Sequence, residues 1–337
     1  MPPAPLDTPI KAYHLYNLAR ANHLSFSALE YALRWIGTTP NTQAWRHFIN
    51  NILLLLGITL LLVGIIFFFA YNWIDMNRFT KFAVLEFSIL SMAIFASWRG
   101  LKHLSAQTAL LASAVLLGAL LAVYGQIYQT GADAFSLFLM WAILIIPWVL
   151  FSAFAPLWLV LLILLNLSLI LYWKQVINPP FSGFQTNLFL LLFLLNGAAL
   201  VAWEFAHRQG VSWLQKHWLG ILLFSAILIA LIIPTLQAIF SFDAGLRQNP
   251  LLVIAVGLYI VITILALWYY RYQRHDLLLL AICLLGVLIV ITSVIGKLLP
   301  IEQEITWLIL ALAVIGQATL STKWLLKIEK IWQKEVS

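Results

Sequence analysis

The side chains able to do chemistry cluster at the ends of the first three apolar runs of this 337-residue chain. Asn72 and Trp73 close the first run, Lys81 opens the second with Glu86 five residues further on, and Gly125 to Gln129 close the third, bringing Gln126, Tyr128 and Gln129. Glu86 can accept hydrogen bonds or a proton, Lys81 and Arg78 can neutralise it or an anionic ligand, and the amides and tyrosines supply directional donors and acceptors. This set suits binding of a small polar ligand, a lipid head group or an envelope protein. A plainer reading stands beside it. Glu86 pairs with Lys81 or Arg78 near the interface, Trp73 and the tyrosines form an aromatic belt, and the glutamines tie helix ends together.

Covalent and metal chemistry find little support. The seven histidines are scattered, with no closely spaced ligand pair, and no H-E-x-x-H, Gly-x-Ser-x-Gly or phosphate-cradling glycine loop occurs. The single cysteine, Cys283, falls within an apolar run and reads as a small packing residue. No catalytic residue, metal ligand or cofactor is assigned. A carboxylate enzyme using Glu86 and Asp133 is a third reading, since acid and base work needs only two suitably perturbed groups. A small-solute secondary transporter is the second. Ten spans divide into two sets of five, but no second copy of Gly125 to Gln129 appears in the later half to mark an inverted repeat.

The elements that must position these residues follow from composition. The chain is 63% hydrophobic and 9% charged, against about 45–50% and about 25% in soluble domains. A hydrocarbon core needs about 20 apolar residues per helix. Such windows lie near 52–70, 82–98, 107–124, 134–151, 156–172, 187–203, 219–240, 251–270, 277–296 and 305–321. The runs do not alternate as barrel strands do. The reading is all-α: a polytopic integral membrane protein of about ten transmembrane helices, or nine if the turn before Pro156 is misread.

Orientation comes from the basic residues, which collect in cytoplasmic loops. With the N-terminus inside, fourteen of the nineteen lysines and arginines fall in inner segments, which also hold every histidine. Both termini are therefore expected in the cytoplasm, with the Asn72 to Gln129 cluster facing outward. The net charge of +7 is a topology signal, and no nucleic-acid partner is implied. Membrane lipids are the expected surroundings.

Residues 1–49 read as a cytoplasmic or interfacial helical hairpin. One helix is expected near Ile10 to Ala21, and a second opens on a Ser27/Glu30 capping box and stops at Gly37 and Pro40. Residues 50–173 hold five spans with the polar cluster, 174–321 the other five, and 322–337 a basic amphipathic tail. In that tail Lys323, Lys327, Lys330 and Lys334 oppose Trp324, Leu325, Ile328, Ile331 and Trp332. Ala114, Gly118 and Ala122 give the third span a small-residue face for close packing, and Asn166, Asn196, Gln237 and Gln317 read as interhelical glue. Pro147 and Pro234 should kink the fourth and seventh spans.

The Asn72–Trp73 pair, Lys81 and above all Gly125-Gln126-Ile127-Tyr128-Gln129 resemble a family of bacterial predicted integral membrane proteins that carry a domain of unknown function (DUF2157-like). The likeness extends over roughly residues 12 to 172 and includes the N-terminal helical pair. It implies a helical architecture and a bacterial inner-membrane address. It brings no reaction, substrate or catalytic residue.

Overall fold

Long, non-alternating apolar runs leave the backbone one way to satisfy its polar groups in lipid, the α-helix. The computed structural model describes residues 15–16, 18–19, 23–35, 42–72, 76–177, 186–214, 218–241, 250–299 and 304–335. Among them the helices are α1 (Phe26–Trp35), α2 (Thr42–Asn72), α3 (Arg78–Arg99), α4 (Leu104–Ile127), α5 (Ala134–Ser152), α6 (Ala155–Tyr172), α7 (Thr186–Arg208), α8 (Trp218–Phe240), α9 (Pro250–Tyr272), α10 (Leu277–Leu298) and α11 (Glu304–Glu335). Ten helices among the described residues, α2 to α11, are long and apolar enough to cross a membrane, and no strand occurs among those residues. The disputed turn between the fourth and fifth spans is real. Ala153 adopts a left-handed φ of 46° and Pro156 sits in the first turn of α6, where its missing N–H costs nothing.

The chain divides into two compact units, Met1–Leu120 and Leu121–Ser337. In the first, α1 packs Leu29 and Leu33 on Leu15. The cap of α1 differs from expectation: Ser25, and not Ser27, stands before the helix and accepts from Ala28 N at 3.3 Å. The segment Ile10 to Ala21 is described only at residues 15, 16, 18 and 19, all helical, and Gly37 and Pro40 lie outside the described residues. Helix α3 is capped by the Asn77 side chain, which accepts from Phe79 N at 3.4 Å, and ends at Gly100, whose φ of 83° suits a residue without Cβ. It meets α4 at Ser113. Ala106, Ala112 and Ala114 are buried, and Ser113 Oγ donates to Ile89 O at 3.3 Å. The expected small-residue face of the third span is therefore packed, as Ala114 and Gly118 are both buried.

In the second unit α5 and α6 form a hairpin, with Ser168 Oγ donating to Phe135 O at 3.1 Å. Helix α6 continues into a π turn, Trp173–Ile177, from which Gln175 accepts Phe135 N at 3.1 Å. Asn166 and Asn196 tie α6 to α7 by reciprocal amide bonds of 3.2 and 2.7 Å, and each also donates to the carbonyl four residues back. Pro147 and Pro234 both lie inside unbroken helices. The main core joins α8, α9, α10 and α11: Phe224, Ile227, Leu231, Tyr259, Ala266, Leu280, Cys283 and Ile328 are all buried. Cys283 is a packing residue of that core, fully enclosed.

The C-terminal tail is continuous with the last span. Helix α11 runs without interruption for 32 residues, about 48 Å at 1.5 Å per residue. No proline falls in it, and Thr319 and Thr322 spend their hydroxyls on the carbonyls four residues back. The apolar stripe of the tail finds protein: Ile328 is 2% exposed, with Trp324, Leu325 and Trp332 packed on the same core.

Candidate functional site

The structure sets Lys81 and Glu86 on different faces of α3. Lys81, in the first turn of α3, belongs to the packed face with Leu85 and Ile89 and is 8% exposed. Glu86 lies five positions later, about 140° around the helix, and stands open with Phe87, Leu90 and Ile94. The two charged groups therefore face different ways. Arg78 lies over the Phe79 ring, 5.0 Å from its centroid. The Asn72 side chain and all of Trp73 fall outside the described residues.

Gln126, Tyr128 and Gln129 belong to the second unit. There the sequence run closes α4: Tyr128 N donates to Tyr124 O at 3.1 Å, and Gln129 turns the chain with a φ of 42°. That left-handed conformation is uncommon for a residue other than glycine. Tyr124 and Tyr128, one turn apart, bring their rings to 4.8 Å and are both about half exposed. Gln126 is exposed.

A polar group that sequence reading missed is assembled at one end of the second unit. Glu204, one turn before the end of α7, accepts from three side chains. Arg274 Nη1 reaches Oε2 at 2.7 Å, while the Tyr269 hydroxyl and Arg208 Nε reach Oε1 at 2.9 and 3.3 Å. The Tyr269 oxygen in turn accepts from Arg208 Nη2 at 3.2 Å. The Arg274 guanidinium lies 5.1 Å from the Trp203 ring centroid, and His207 stacks on that same ring at 5.0 Å, its Nδ1 placed 3.2 Å from the Leu214 carbonyl. Trp203 fits because residue 220 is glycine: a Cβ there would come within 2.6 Å of the indole.

One carboxylate facing two guanidiniums leaves the group cationic. With Glu204 holding three donors, the arrangement is a clamp between α7 and the end of α9. The signal was present as Glu204/Arg208 and Trp203/His207, each at the i, i+4 spacing that puts two side chains on one helix face. Arg274 and Tyr269 were out of reach of any local reading, lying 70 and 65 residues away. Among the described residues no group of three or more His, Cys, Asp or Glu side chains is placed to hold a metal.

These features define a polytopic α-helical membrane protein with no recognisable catalytic constellation among its described residues. Residues 18–158, from the N-terminal pair to the start of α6, match the family model described as predicted membrane protein (DUF2157). The match lies inside the stretch whose motifs showed the resemblance and covers less than half of the chain. No significant match was found among curated proteins or among solved structures.

Proposed function

We propose that this chain is an inner-membrane protein with both termini in the cytoplasm, whose family-matched spans assemble with a second membrane protein, and that Glu86 is the polar contact. The observation that carries the reading is the open position of Glu86 on an otherwise apolar face of α3. It lies eight residues into the helix, about 12 Å along its axis. An ionised side chain at mid-bilayer costs about 3 kcal/mol on insertion scales, and such residues ordinarily face protein or water. A partner helix carrying a hydrogen-bond donor would satisfy Glu86, and interhelical bonds of this kind hold membrane helices together. Helix α2 supports the same reading, since none of its most apolar stretch is buried within the chain. Lys81, on the packed face, is then a positioning residue for α3. Asn72, Trp73, Gln126, Tyr128 and Gln129 remain candidate contacts of the outward ends.

The test is co-purification from native membrane with quantitative mass spectrometry of the accompanying proteins. At least one protein should accompany the wild type and be lost with Glu86→Gln, while Glu329→Gln at the far end of the chain retains it. Identical profiles for wild type and Glu86→Gln would remove Glu86 from the assembly. Reporter fusions after Gln129 and Ser337 should place those positions on opposite sides of the membrane; the same side for both overturns the orientation.

A further inference from the structure

A cavity of about 70 Å³ opens where the last turn of α9, the α9–α10 turn and the C-terminal half of α11 meet. Arg271, Tyr272, His275, Ile328, Ile331 and Trp332 line it. The His275 and Trp332 rings meet edge to face at 4.9 Å, closing it on one side. Arg271 is held by aromatic faces, 4.9 Å from the Tyr272 centroid and 5.6 Å from that of Trp324. Contacts of this kind orient a guanidinium without using its N–H donors.

The carboxylates near this end are engaged elsewhere. Glu204 takes Arg208 and Arg274, Asp276 accepts from Leu278 N and Leu279 N, and Glu329 lies 3.5 Å from the Gln333 amide. Among the described residues no carboxylate pairs with Arg271, whose guanidinium is held at the edge of an apolar-walled hollow. Lys323, Lys327 and Lys330 stand exposed on α11.

We infer that this cavity seats the phosphate of an anionic phospholipid. Arg271 supplies the planar donor fork that matches phosphate oxygens, and the lysines add long-range attraction, as basic pockets between membrane helices do for lipid head groups. The volume is about that of two water molecules in the liquid, room for one phosphate group and not for a soluble metabolite. The path for the acyl chains distinguishes lipid from free phosphate. Below Arg271, at helical spacing, Val261, Ile264 and Trp268 form an open apolar strip along α9. The same end carries Tyr272, Trp324 and Trp332, residue types that settle at head-group level.

Native mass spectrometry of the full chain in detergent micelles, titrated with phosphatidylglycerol, phosphatidylcholine or inorganic phosphate, tests this. One phosphatidylglycerol should bind in preference to phosphatidylcholine, and excess inorganic phosphate should not displace it. Arg271→Gln should weaken it by about tenfold, the worth of a charged hydrogen-bonded contact. Ile331→Phe, which fills the hollow without altering charge, should do the same, whereas Lys102→Gln in the first unit should have no effect. Undiminished binding by either cavity variant overturns the site. Displacement by inorganic phosphate makes it an anion seat and not a lipid one, and an equal loss with Lys102→Gln reduces the effect to unspecific charge.

Discussion

Replacing Glu204 by alanine removes the acceptor of three side chains and strands Arg274, whose side chain is 15% exposed and whose Nη2 already has no hydrogen-bond partner among the described residues. Breaking a fully buried ion pair from one side costs about 3–5 kcal/mol. Because Glu204 keeps 23% of its side-chain surface, the lower end applies, about 3 kcal/mol. Arg274→Ala forfeits the 2.7 Å bond and the contact with Trp203, but leaves Glu204 with Tyr269 and Arg208, so about 2 kcal/mol is expected. Arg208, two-thirds exposed in its pairing, should matter little.

The decisive variant is the double one. With no guanidinium left stranded, Glu204→Ala/Arg274→Ala should cost about 3 kcal/mol, where additive single effects would give about 5, a coupling of about 2 kcal/mol. Equilibrium unfolding in mixed micelles by detergent titration, reading tryptophan fluorescence, measures all four. Additive costs, or a Glu204→Ala variant as stable as Arg208→Ala, would refute the clamp.

Two further outcomes follow from packing. Gly220→Ala should destabilise by about 1–3 kcal/mol, because its Cβ would meet Trp203 at 2.6 Å, and Trp203→Phe should relieve part of that cost; an unchanged thermal melt would contradict it. Asn196→Ala should cost about 1 kcal/mol by leaving Asn166 without its partner amide, whereas Asn166→Leu/Asn196→Leu, which leaves neither group unpaired, should cost less in the same detergent titration.

Legibility from sequence tracked the range of the interaction. The ten spans, the turn at Ala153, the small-residue face of α4 and the interhelical bonding of Asn166 and Asn196 all follow from length, helical period and the need of a buried amide for a partner. The different faces taken by Lys81 and Glu86 were less legible. Span ends share a membrane depth, but only the angle around the helix says which face a side chain takes, and five residues is the wrong interval. The Glu204 clamp escaped because attention to isolated buried charge favours Glu86, whereas Glu204 hides among the basic residues that topology explains. The tail shows a related limit. Its stripe correctly announced an apolar face, but a stripe does not say whether lipid or protein covers it, and Ile328 is covered by protein.

The unbroken α11 has a mechanical meaning. A rod of about 48 Å exceeds a hydrocarbon layer of about 30 Å, and with no proline joint its membrane-crossing part and its protruding part share one axis. Where the bilayer thins or thickens, a helix answers by tilting, and any tilt of this one swings the protruding end through an arc. Trp332 rests there against the His275 turn, so that contact lies on the same rigid axis as the membrane-crossing part of the helix.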